Sequence, residues 1–91
     1  MITLSAQISL YAPICHSLKE KRMILQSILS KVKNKFNVSI AEVDAQDTHQ
    51  TIIIGIAAVS NVNNHAQSIL DEVIRFIENN IDAEITEVEF Y

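Results

Sequence analysis

The sequence predicts an α+β domain, on the strength of three observations. Hydrophobic spacing switches between two and 3.6 residues along the chain in the order β-α-β-β-α-β. Each helical stretch lies between strands that a right-handed crossover can join. These segments and short connections take up residues 1–91, which makes one domain with no room for a second core. Together they describe a ferredoxin-like arrangement: a four-stranded antiparallel sheet, first and third strands central, with two helices on one face.

Ile2, Leu4, Ala6, Ile8 and Leu10 alternate with Thr3, Ser5, Gln7, Ser9 and Tyr11, so the first strand has one apolar and one polar face, and Pro13 ends it. Ser17 and Glu20 have the spacing of a capping box, which starts a helix at Leu18. Leu18, Leu25, Ile28, Leu29, Val32 and Phe36 stack along one side of that helix and form its core stripe. Asn37 to Asp44 is a second strand rich in β-branched residues, and Ala45 to His49 is polar enough for a hairpin turn. The third strand, Thr51 to Ser60, is apolar throughout Ile52 to Val59. Either Ile53, Ala57 and Val59 or Ile52, Ile54 and Ile56 must therefore face away from the helices. A contiguous apolar patch of this kind points to self-association through the sheet face or an edge, so a homodimer is expected. Asn61 to Asn64 offer N-caps for a second helix striped by Ala66, Ile69, Leu70, Val73, Ile74 and Ile77. Asn79 and Asn80 suit a left-handed helix end, and a last strand runs from about Ala83 to Tyr91.

Charge is the most informative feature of the chain. Six of the seven Lys and Arg residues fall between Ser17 and Phe36, with Glu20 as the single carboxylate there, so a net charge of −4 conceals a basic helix on an acidic remainder. Lys19, Lys21 and Arg22 lie near the helix N-terminus, where the macrodipole disfavours cations by ~0.3–1 kcal/mol each. Helix stability does not explain them, whereas a phosphate would meet free amides and three cations together. Lys31, Lys33 and Lys35 lie at the other end, which favours cations in any case. These six residues are the candidate RNA- or anion-binding set.

Other chemistries are poorly served. Cys15 is the only cysteine, so there is no internal disulfide and no Cys-based zinc cluster. It neighbours His16, but adjacent residues on an extended segment point apart. Gly55 is the only glycine, which excludes a glycine-rich phosphate loop. The run Ile52 to Val59 is far short of a membrane span, and the N-terminus lacks the features of a signal peptide, so a cytoplasmic protein without membrane contact is expected. His16, Glu42, Asp44, Asp47 and His49 can gather at one end of the sheet, where Asp and His serve as metal ligands or a general base, yet their spacing fits no strong metal motif. Glu42, a charge in mid-strand, is expected to face solvent or to pair with a helix-one lysine. Tyr11 is the only aromatic on the two central strands, which argues against base stacking on the sheet.

Three stretches, SLKEKR at Ser17 to Arg22, FNVSIAEVDAQD at Phe36 to Asp47 and VSN at Val59 to Asn61, resemble the YlxP-like family of small bacterial domains of unknown function. The resemblance covers essentially the whole chain and implies a ferredoxin-like fold. Genes of that family often lie beside those for transcription-termination and translation-initiation factors, which implies an RNA or ribosome setting. The chain departs from the family in carrying few arginines in helix one and Asp44-Ala45 where a Gly-His pair is typical. Lysine cannot form the bidentate fork of arginine, which leaves Arg22 as the one fork in that helix.

The leading expectation is a non-enzymatic module, without cofactor or metal, that docks on structured RNA or the ribosome through helix one. The alternatives are a dimeric protein-interaction or regulatory domain and a small metal-dependent enzyme using His16, Asp44, Asp47 or His49.

Overall fold

The computed structural model describes residues Met1–Tyr91. Its elements are β1 (Ile2–Tyr11), α1 (Leu18–Lys35), β2 (Ser39–Asp44), β3 (Thr51–Ser60), α2 (Asn63–Asn80) and β4 (Glu84–Phe90). The sheet order is β2-β3-β1-β4, with every neighbouring pair antiparallel, so β1 and β3 are the central strands as expected. Strand β2 starts two residues later than the β-branched run, because Phe36 caps α1 in an extended conformation and Asn37 and Val38 form the link.

The alternation in β1 works as read: Ala6, Ile8 and Leu10 are buried against the helices, and Tyr11 is exposed. On β3 the choice left open by the sequence falls to Ile52, Ile54, Ile56 and Ala58 as the buried set, while Ile53, Gly55 and Ala57 are half-buried and Val59 is 60% exposed on the outer face. Leu25, Ile28 and Val32 of α1 and Ala66, Leu70, Val73 and Ile77 of α2 close the core from above. Leu18, Leu29 and Phe36 lie at its margin.

Several local expectations are corrected. Ser17 Oγ does accept from the Glu20 amide at 3.2 Å, but the Glu20 carboxylate reaches back to the His16 amide at 2.9 Å, one residue beyond the N-cap. The N-cap of α2 is Val62, not an asparagine, and it offers no side-chain cap. Ser60 Oγ takes the Val62 amide instead, at 3.1 Å. Nor does α2 end in a left-handed asparagine: Ile81 leaves the helix extended, and Asn80 Nδ2 donates to the Phe76 carbonyl at 2.8 Å. The only residue with positive φ is Ala45, at 54°, in the β2–β3 turn.

Candidate nucleic-acid interface

The sequence of α1 dictates two unlike surfaces. At 100° per residue, Leu25, Ile28 and Val32 face the sheet, and Lys19, Arg22, Gln26 and Lys33 fall together on one exposed flank. Lys19 and Lys33 are fourteen residues apart, so this cationic stripe is about 21 Å long at 1.5 Å per residue. Lys31 and Lys35 leave by the opposite flank, toward α2. There Lys35 Nζ stands 4.8 Å from the centre of the Phe76 ring and 5.7 Å from that of Phe36, and the two rings meet edge to face at 5.6 Å. Arg75 of α2 lines the same cavity, about 350 Å³, as Lys35. The seventh cation, which the sequence groups with the acidic remainder, thus joins the basic helix; its distance in sequence hid this.

Lys21 must be removed from the candidate set. The core stripe of α1 includes position 21, one turn before Leu25, and the side chain is 1% exposed. Its ammonium donates to the carbonyls of Ala45, at 2.6 Å, and Thr48, at 2.7 Å, and lies 2.9 Å from Glu42 Oε2. That oxygen has no hydrogen bond of its own, so the pair is a charge contact at an angle unsuited to a hydrogen bond. Two of the ammonium protons thus go to turn carbonyls, and the charge is met by the Glu42 carboxylate. Lys21 fastens the β2–β3 turn to the start of α1, and a phosphate cannot reach it. Glu42, pointing under α1, takes the second of the two roles expected for it.

The acid and histidine constellation does not assemble. Glu42 is committed to Lys21, Asp44 Oδ1 accepts from the Ala45 amide at 2.7 Å, and His16, Asp47 and His49 are exposed. No three His, Cys, Asp or Glu side chains come together in a way that could hold a metal ion. Cys15 is fully buried beside exposed His16; burial, and after it the Glu20 carboxylate, raises its thiol pKa, partly offset by Lys21.

Lys21–Glu42 is the one ion pair in the molecule. Lys19, Arg22, Lys31, Lys33, Lys35 and Arg75 therefore have no carboxylate within ion-pair distance, in a chain with eleven acidic side chains. No helix is long and apolar enough to cross a membrane.

Strand order, crossovers and a basic helix over an antiparallel sheet define a small ferredoxin-like α+β domain. A family model described as "Protein of unknown function (DUF503)" matches residues 3–90, and the chain belongs to that family. It is 47% identical over 77 residues to the uncharacterized protein YlxP of Bacillus subtilis (strain 168), a match spanning 82% of this chain and 84% of that protein. A de novo designed protein with a ferredoxin fold, solved in solution by NMR, superposes with a TM-score of 0.63 over 94% of this chain and 82% of its own, at 18% identity; that likeness concerns the fold alone.

Proposed function

We propose that this chain is a non-enzymatic cytoplasmic module that docks on structured RNA, the ribosome included, through the exposed cations of α1. The observation that carries the reading is the set of six surface cations left without carboxylate partners, five of them on one helix. In a molecule with an excess of acids, such cations are free to exchange their counter-ions for phosphates, the step that drives nucleic-acid affinity. Lys19, Arg22 and Lys33 supply backbone contact along the stripe, and Arg22 supplies the bidentate fork. Recognition of this kind follows the shape and phosphates of an RNA and reads little sequence.

The test is fluorescence anisotropy with a labelled ribosomal RNA hairpin across a salt series. With five helix-one phosphate contacts the log–log slope is about −3.5 to −4.5, and changing Lys19, Arg22 and Lys33 to Ala reduces its magnitude by about one per residue while the circular dichroism spectrum is kept. Unchanged binding by that triple variant sinks the interface. A second reading, a protein-interaction or regulatory domain, is favoured by the apolar β3 residues Ile53, Ala57 and Val59 left uncovered on the outer face of the sheet. Capture from extract that survives nuclease treatment distinguishes it from RNA docking.

A further inference from the structure

Both helices cover one face of the sheet, and the other face has a definite construction. The registers place Ala41, Gly55, Gln7 and Glu89 in one row across β2, β3, β1 and β4, and Ser39, Ala57 and Ser5 in the next, where the Tyr91 amide bonds the Ser5 carbonyl at 2.8 Å. Small side chains, with Gln7 among them, therefore floor the middle of the face. Val43 rises on the β2 side, 48% exposed, and Tyr91 on the β4 side, 67% exposed, and the trough between them holds about 290 Å³. Gly55 is part of the design: a Cβ there would stand 2.9 Å from Val43 Cγ1, so glycine lets Val43 fold inward along the trough wall.

The electrostatics of this face are one-sided. Glu84, Glu87 and Glu89 lie along the β4 edge opposite Tyr11, Ser9 and Gln7, and every Lys and Arg of the chain belongs to α1 or α2. Glu87 and Glu89 crowd each other: the hydrogen bond between them, and then the Glu89 charge, raise the Glu87 pKa, while Tyr91 Oη donates to Glu89 at 2.7 Å and holds Glu89 low. A second copy of this chain is a poor cover. Laid face to face about a two-fold axis, it brings the carboxylates either against their own kind or over Ala41 and Val43, and in both cases no cation meets them.

We propose that the outer sheet face docks an amphipathic helix of a different protein, its apolar ridge filling the trough and its Lys or Arg flank meeting Glu87 and Glu89. A four-stranded sheet is roughly 14 Å wide from edge to edge and a helix roughly 10–12 Å across, so one helix fills the face. An extended strand would instead add to a sheet edge, which leaves the trough empty. The inference stands apart from the RNA reading, since it uses the opposite side of the molecule.

The experiment is titration of the ¹⁵N-labelled full chain with a synthetic amphipathic Leu/Lys helix peptide, and with a Leu/Glu peptide of the same apolar content. The Leu/Lys peptide should shift the amides of Val43, Gly55 and Glu89 saturably and leave those of α1 unmoved. The Leu/Glu peptide should bind at least about tenfold more weakly, and the E87Q/E89Q variant should lose about threefold to tenfold in Leu/Lys affinity at unchanged melting temperature, in line with two exposed charge contacts. Equal binding of the two peptides, shifts confined to α1, no shift on the sheet, or a free protein that sediments as a dimer with those amides protected overturns the proposal.

Discussion

Cys15 is fully enclosed, and its thiolate is disfavoured there by burial and by Glu20. Two outcomes follow at this residue. A thiol reagent at pH 8 reacts with the native protein at least about a hundredfold more slowly than with the chain in denaturant, because reaction waits on opening. Stability falls as pH rises: the unfolded chain releases the thiol proton from about pH 8.5 upward while the folded chain keeps it until its raised pKa is reached. Melting between pH 7 and pH 10, compared with Cys15→Ala, checks the sign, and a Cys15→Ala profile as steep as the parent's refutes it. Position 21 shows what residue types conceal. Lysine in a helix rich in lysines reads as surface, and only the turn carbonyls of Ala45 and Thr48, distant in sequence, turn it into a buried fastening. Lys19 and Arg22 were legible as exposed cations because no apolar position of the stripe coincides with them.

That fastening joins two elements. Helix α1 starts at Leu18, and one turn later Lys21 reaches the β2–β3 turn, so the helix start and the hairpin tip share one buried charge contact. Lys21→Ala leaves Glu42, whose side chain is 17% exposed, without its cation. The expected loss is about 2–4 kcal/mol, somewhat under that for a fully buried pair. Lys21→Ala with Glu42→Ala should recover part of it, giving a coupling of about 1–3 kcal/mol in a urea-melt double-mutant cycle, and additive losses would rule the fastening out. Element types and order were legible from period alone, since β1 and α2 each have a side that is consistently apolar and α1 has one broken only at Lys21. Element ends were less so. The caps at Val62 and Ile81 use extended backbone rather than the asparagines beside them, and local composition carries no sign of that.

On the scale of the molecule, cations occupy the helix side and the β4 carboxylates the outer sheet face, so a chain resting on RNA by α1 presents its trough to solvent. The segregation was visible in sequence, whereas Arg75 joining the basic side was not, because helix packing decides it. Strand β4 closes the sheet against β1 and packs Ile85 and Val88 on the core. Deleting residues 84–91 should therefore abolish the cooperative thermal transition seen by circular dichroism, and a retained sharp transition would mean that β4 is an accessory. The same central place of β1 governs the order of events during synthesis. Strand β1 leaves the ribosome before either of its partners: it pairs on one side with residues 51–60 and on the other with residues 84–90, so it waits, half finished, until residue 90 has been made. Early segments with late partners fold slowly. In this protein the apolar side of β1 must stay uncovered until residues 51–60 and 84–90 have been made, which makes the nascent chain, more than the finished domain, the form that needs shelter from aggregation.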